Sequence, residues 1–373
     1  MNENPLPGLY VHVPFCNSKC PYCDFYSVTA TSLIPAWLNA LEKEAHFYKD
    51  RFEAFDTLYL GGGTPTILDD RQLTLLMETI LHAFHFASDV EITIEANPEG
   101  VTPERLNHLM ELGIGRISLG VQSFDQDDLS FLGRRHAVRD AGEVLERIRS
   151  AGFTNLGVDL MYGFPGQVEE KWLHTLQKTL SYKPEHLSCY QLTFEKGTKF
   201  GQMKEKGLIR PLDKKEAGNL FLLTSRFLEE NGYIHYEISN FALKEEYRSR
   251  HNQKYWRHVP YLGLGPSAHS FEAGVRWWNV RSVKVYCQKL NQGKAPVEGR
   301  ENLSEEQLGL ERVYLGLRTR EGIGLSDIDD HPRLGPILNQ LLGTGLVMLV
   351  EGRIVPTVEG FLVADSLPLQ LVD

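Results

Sequence analysis

The sequence predicts an α/β fold in which a parallel sheet winds in one direction and closes, fully or in part, into a barrel. Two observations carry this. Short β-branched runs alternate with helical stretches through the first two thirds of the chain, a rhythm of parallel strands joined by crossover helices. The elements also succeed one another without an obvious reversal, so right-handed crossovers carry the sheet round in one sense. In such folds the chemistry belongs to the loops at the C-terminal ends of the strands.

Residues 9–13 read as the first strand, followed by 57–60, 90–94, 116–119, 155–160 and 186–191. Helical patterns fill 34–47, 71–84, 103–112, 138–150 and 169–180. Thr102, Pro103 and Gly113 bracket the third helix as N-cap, first-turn proline and stop. The tail differs. Ser304 with Gln307 is a capping-box start for a helix to about residue 317. A second helix over 336–342, a hairpin of 346–350 with 353–355, and a short helix over 358–366 complete a small winged-helix-like module. The polar stretch 291–300 reads as the connection to it. The division expected is a barrel over 1–240, a connecting segment over 241–300 and the small module over 301–373.

The 373 residues suffice for one large domain and a small one. Apolar residues make up 42% and charged residues 24%, as in ordinary globular proteins. A formal charge of -10 argues against general attraction to nucleic acid or anionic lipid. The tail adds no basic face, since Arg353 is the one Lys or Arg between residues 346 and 363. The N-terminus shows no secretory pattern and no apolar run approaches a membrane span. The expectation is a cytoplasmic protein with reduced thiols, where clustered cysteines bind metal rather than pair.

Five cysteines are present, and Cys16, Cys20 and Cys23 fall within eight residues, directly after the first strand. Three thiolates on one loop can hold three corners of a cubane and leave the fourth iron open for a small chelating ligand. A zinc site would favour paired C-x2-C spacing and four ligands. Cys189 sits in a strand and reads as a small buried hydrophobe. Gly61, Gly62, Gly63 and Thr64 follow the second strand, where glycines allow close approach of backbone to a ligand. Glu95, Gln122 and Asp159 fall at or near the ends of the next three strands. Carboxylates there suit ribose hydroxyls and an ammonium group, and Arg134 suits a carboxylate.

These motifs resemble the radical-SAM proteins and, within them, the oxygen-independent coproporphyrinogen III oxidase group, over nearly the whole chain. The resemblance implies a partial (β/α)6 radical-SAM barrel with a small C-terminal winged-helix-like domain. It implies a 4Fe-4S cluster on Cys16, Cys20 and Cys23, with S-adenosylmethionine (SAM) on the open iron. It also implies SAM contacts from Tyr10, Tyr22, Gly62, Gly63, Thr64, Glu95, Gln122, Arg134 and Asp159. Two departures separate the chain from the oxidases. Phe25, beside the cofactors, stands where they carry a further cysteine, and their long N-terminal arm is missing.

One further motif selects the branch. His251, Asn252, Tyr255 and Trp256 form an H-N-x-x-Y-W run that resembles the signature of HemW-type haem chaperones. His can ligate haem iron and aromatic rings can stack on the macrocycle. Read from the residues alone, the same run is a packed loop. The resemblance implies a third cofactor, haem, and acceptor haemoproteins as partners, including respiratory enzymes at the membrane. It also implies a homodimer. No catalytic residue follows from it, and oxidative decarboxylation of coproporphyrinogen III is the alternative activity.

Overall fold

Side chains along a strand alternate between two faces, and here the two faces carry opposite chemistry. In the computed structural model, which describes residues 5–134, 138–328 and 334–372, six strands pair in parallel, each with the next. They are β1 (Gly8–Val13), β2 (Phe55–Gly62), β3 (Phe86–Ala96), β4 (Arg116–Gln122), β5 (Leu156–Tyr162) and β6 (His186–Gln191). Their outward side chains, among them Leu9, Val11, Leu58, Leu60, Ile94, Leu119, Val158 and Leu187, are almost fully buried. They pack in one apolar core with Trp37, Leu41, Leu73, Leu106, Leu145 and Trp172. Burial of such side chains, about 1.5–3 kcal/mol each, is the main force holding the helices on the sheet.

The crossover helices are Ile34–Tyr48, Asp70–Ala83, Pro103–Glu111, Val138–Ser150 and Glu169–Leu180. Each lies within a residue or two of its predicted span. Thr102 caps its helix by accepting from the Arg105 N–H, and Gly113 follows with a φ of 80°. The strands, by contrast, run past most of the predicted ends. β3 extends to Ala96 and β4 to Gln122, because the polar residues there still hold the parallel ladder.

The strand order keeps the barrel partial. Beyond β6 lie β7 (Ile234–Glu237) and β8 (Asn240–Ala242), both antiparallel. On the other side, β9 (Tyr261–Leu264) pairs in parallel with β1, and β10 (His269–Glu272), β11 (Val275–Asn279) and β12 (Val297–Asn302) follow antiparallel. The two ends, β12 and β7, do not pair with each other. The stretch read as a polar connection therefore contains an edge strand. Val297–Asn302 alternates half-buried and exposed residues, and its charged side chains suit an edge.

The tail covers the other edge. Ile238 N–H donates to the Arg318 carbonyl and Arg320 N–H to the Tyr236 carbonyl. The helix Glu305–Gly316 starts with the expected Ser304–Gln307 capping box. The helix Leu334–Gly343 and a sheet of β13 (Ile323–Gly324), β14 (Val347–Val350) and β15 (Arg353–Pro356) follow. The last predicted helix is shorter than expected. It spans Val358–Leu362, and a new helix, Leu367–Val372, begins with Pro368 in its first turn. Among the described residues no helix is long and apolar enough to cross a membrane.

Glu44 ties the first helix to the far side of the sheet. It is fully buried and accepts from the Gly265 N–H, the Asn279 amide and the Tyr286 hydroxyl. Burial pushes its carboxyl from 4.5 up to about 7, against the pull of those three donors. The folded protein thus keeps a proton that the unfolded chain releases, and this group weakens folding as pH rises from about 4.5 to about 7. Glu44→Gln removes that titration. Urea unfolding across this window should show a pH profile flatter by up to about 3 kcal/mol; a slope equal to that of the unaltered protein would refute the assignment.

Candidate cluster and cofactor site

The cysteine loop leaves β1 and is held from several sides. Cys16 N–H donates to the Val28 carbonyl and Val28 N–H to Pro14, so the loop doubles back on itself. Cys23 N–H closes a turn on the Cys20 carbonyl, and Phe200 N–H donates to Pro21. His12, 4% exposed, donates from Nε2 to the Tyr26 carbonyl and so accepts the Tyr10 hydroxyl at Nδ1. All three cysteines are free and half-buried. Burial raises the Cys23 thiol, so the thiolate needs a cation beside it.

Among the described residues, no group of three or more His, Cys, Asp or Glu side chains is gathered as for a single ion. A cubane takes each thiolate on a different iron, so a loop of three thiols fits it without such convergence. Thr64 turns its hydroxyl toward the Cys16 sulfur at 3.6 Å, which suits a ligand sulfur at the cluster's edge.

The glycine run lies directly under this loop. Gly63 N–H donates to Val13 and Thr64 N–H to Phe15. A Cβ on Gly62, where φ is 105°, would lie 2.4 Å from the His12 ring, and one on Gly63 would lie 2.6 Å from the Phe15 carbonyl. Close packing against the loop, in addition to any ligand, therefore requires glycine here.

Inward side chains form the walls. Glu95 accepts from the Gly62 N–H at 3.0 Å and the Tyr59 hydroxyl at 2.9 Å. Asp159 is half-buried and accepts from Ser118. Burial raises both carboxyls, Glu95 to about 7, with the neighbouring Asp159 adding to the effect on Glu95. Arg134 donates to the Tyr22 hydroxyl and the Asn97 side chain, and Asn97 donates on to Thr64. Gln122 is buried in a left-handed conformation, φ 71°, at a bulge in β4. Backbone strain of this kind collects at functional sites.

The structure thus brings Tyr10, Tyr22, Gly62, Gly63, Thr64, Glu95, Gln122, Arg134 and Asp159 to one end of the barrel interior. Phe25 lies on the cluster loop, 69% exposed. His251 lies deeper. It is 1% exposed, with Nδ1 on Thr57 at 2.8 Å and Nε2 on the Tyr255 hydroxyl at 2.9 Å. Its ring stacks on Tyr59, 5.1 Å between centroids, and burial lowers its pKa to about 3. As a haem ligand His251 is unavailable in this conformation, because both ring nitrogens are engaged. Asn252 is the third residue of the floor helix Arg250–Trp256, and its N–H donates to the Ser249 hydroxyl that caps it. Trp277 is buried beneath Arg51, and Trp278 stacks on His269.

The sequence reading missed Tyr59, Asn97, Arg116 and Ser118. Arg116 is buried among Glu91, Glu95 and Asp159, and its Nε has no partner among the described residues. Strand parity was the available signal, since 91, 93 and 95, like 116 and 118, are polar at alternate positions.

The radical SAM superfamily matches residues 10–179 of this chain. Membership of that superfamily implies a 4Fe-4S cluster and SAM, and the donor set above fits both. The chain is 36% identical to the heme chaperone HemW of Bacillus subtilis, with 85% of each chain covered. It is 34% identical to the HemW of Lactococcus lactis, covering 94% of this chain and 93% of that protein. The chain belongs to this HemW family. Its fold is also that of the Escherichia coli radical SAM enzyme coproporphyrinogen III oxidase, HemN, with a TM-score of 0.85 at 25% identity, covering 98% of this chain and 90% of that one.

When bound, SAM supplies a carboxylate, an ammonium and a sulfonium centre. The residues suited to hold it are Arg134 toward the carboxylate and Glu95 toward the ammonium. A cation beside Glu95 favours its ionised form. SAM affinity should therefore rise as pH rises toward about 7 and level off above it. Calorimetric titration should show proton release on binding below that pH. Glu95→Gln should bind weaker with a flat profile; a Glu95→Gln profile that kept the slope would assign the proton elsewhere.

Proposed function

We propose that this protein is a haem chaperone, which binds haem alongside a 4Fe-4S cluster and SAM and passes the haem to acceptor haemoproteins. The observation that carries this reading is the identity of 33–36% to HemW heme chaperones over most of the chain. Phe25 supports it, being an exposed aromatic where the resemblance to the oxidases calls for a thiol. The reading includes a cytoplasmic protein, with acceptors at the membrane and a homodimer as its working form. It keeps the division into a barrel over 1–240, a segment over 241–300 that carries the floor helix, and a tail over 301–373.

Haem contact through His251, Asn252, Tyr255 and Trp256 belongs to the same proposal. Within that run, Trp256 is the member that reaches away from the barrel interior. The cluster and SAM then serve to assist or regulate transfer, and no residue is assigned a catalytic role.

The second reading is oxygen-independent coproporphyrinogen III oxidase, favoured by the shared fold with HemN. Anaerobic reconstitution, followed by haem titration beside a coproporphyrinogen decarboxylation assay, separates the two. Stoichiometric haem binding without vinyl product is expected, and efficient vinyl formation would sink the chaperone reading. His251→Ala should lower stability by about 2 kcal/mol, since it strips a partner from buried Thr57 and half-buried Tyr255. A folded His251→Ala variant should also bind haem more weakly, and one that binds haem unchanged would remove His251 from the proposed haem contacts.

A further inference from the structure

Gly157 is an inward position of β5, paired with Ser118 on β4 and His186 on β6. Glycine weakens a strand, and inside one it often marks a close approach. Backbone conformation does not demand it here, since its φ lies outside the left-handed region. A Cβ at this position would meet Arg116 Nη2 at 3.2 Å, His186 Nδ1 at 3.5 Å and Ser118 Oγ at 3.5 Å. Polar atoms from three residues thus converge over the glycine, and each residue is at most 5% exposed.

Each atom has a definite hydrogen-bonding role. The Arg116 guanidinium can only donate, and it makes no hydrogen bond or ion pair to any described residue. His186 accepts the Tyr236 hydroxyl at Nε2, because that oxygen already accepts the Ser249 N–H. Burial, and then the Arg116 charge, holds the His186 pKa well below its ordinary value, so the ring is neutral. Its one proton therefore sits on Nδ1, which has no partner among the described residues. Ser118 spends its proton on Asp159, at 3.1 and 3.3 Å from the two carboxylate oxygens, so its own oxygen is left to accept. The set is two donors and one acceptor. A small anion would take the donors but not Ser118, and Glu91, Glu95 and Asp159 already face the guanidinium. A cation would meet Arg116. Water both accepts and donates, and buried waters make about three hydrogen bonds each.

We propose that Arg116, His186 and Ser118 hold a buried water over Gly157, and that this water links Arg116 through Ser118 to Asp159. The glycine leaves room for it, and the water pairs two donors that burial would otherwise leave costly. Arg116 is then a positioning residue, which acts on Asp159 without touching it. Its effect on SAM rests on the reading of Asp159 as a SAM contact; the water itself does not.

The test uses the full chain, cluster-loaded, as Gly157→Ala and Gly157→Ser. Gly157→Ala displaces the water and leaves its donors unpaired. Gly157→Ser is bulkier but brings a hydroxyl to the same atoms. The tightest contact of either new Cβ is the far end of the Arg116 side chain, so both variants should fold. The melting temperature should fall about 3 °C for Gly157→Ala, and Gly157→Ser should recover half of that or more. SAM affinity by calorimetry should fall about fivefold for Gly157→Ala and stay within about twofold for Gly157→Ser. Crowding alone gives the opposite order, with Gly157→Ser the worse, and that order would overturn the proposal. So would a Gly157→Ala variant that melts at or above the unaltered protein. A crystal structure of the unaltered protein should show the water within hydrogen-bond distance of Arg116, His186 and Ser118; an ion there, or no density, would overturn it too. Asp159→Asn separates the two claims. If it leaves SAM affinity unchanged, the reading of Asp159 falls, and the melting order still judges the water.

Discussion

The constraint on which this structure depends is that the inside of the barrel is polar and must still be satisfied. β1 to β6 send Tyr10, His12, Thr57, Tyr59, Glu91, Thr93, Glu95, Arg116, Ser118, Asp159, His186 and Ser188 inward, while the outward positions hold the apolar core. A buried polar group without a partner costs about 1–3 kcal/mol. The interior meets that demand by linking strand to strand. Tyr59 bonds Glu95, Ser118 bonds Asp159, and His186 bonds Tyr236. Where links are missing among the described residues, at Arg116 Nε, Thr93 Oγ1 and His186 Nδ1, the unpaired atoms mark the interior as a place built for more than packing.

The floor helix follows from the same demand. Without it, Thr57, Glu91 and Tyr59 would open to water at the base of the barrel. Instead the N–H groups of Arg250 and His251 donate to Glu91, which places a carboxylate at the start of the helix. His251 then fills the space over Gly8, where a Cβ would lie 3.0 Å from Nδ1 and 2.7 Å from the Lys254 side chain. Lys254 is anchored in turn by Asp56 and the Leu6 carbonyl. The H-N-x-x-Y-W run is thus a structural plug at one end, whatever it contacts at the other.

What the sequence made legible follows from the physics of each element. The cysteine spacing, the glycine run and the strand-end residues were readable because their chemistry depends on local order along the chain. Helices with caps, such as the one after Thr102, were readable for the same reason. The residues from about 192 to 302 were not, since β7 to β12 are short and mostly antiparallel, and β12 is an edge strand whose charges look like a loop. Tyr59 and Asn97 carry no signal of their own in the sequence. Their roles come from contacts between residues far apart in the chain, Tyr59 across the sheet to Glu95 and Asn97 to Arg134 on the connection after β4. The aromatic run at 251–256 was ambiguous on its own, since buried aromatics usually pack, and only its placement separates His251 from Trp256.

That placement links the two ends of the molecule through short contacts. From Glu95, at the cofactor end, the Tyr59 hydroxyl leads to a ring that stacks on His251. Tyr10 lies beside both rings, at 6.2 Å from each, and its hydroxyl reaches His12, which holds the cysteine loop at Tyr26. His251 is the second residue of the seven-residue helix that ends at Trp256. A rigid helix that short cannot shift at one end and stay fixed at the other. Any change of charge at Glu95, which sits close to neutral pH in its titration, therefore bears on the group that bears on the floor. Continuity of this kind does not by itself establish coupling, because coupling needs two arrangements that both sites bias. It does limit the route. Between the cofactor end and Trp256 one run of interior contacts passes through Tyr10, Tyr59 and His251, and the close packing above Gly8 and Gly61 leaves little room for the His251 and Tyr59 rings to move independently.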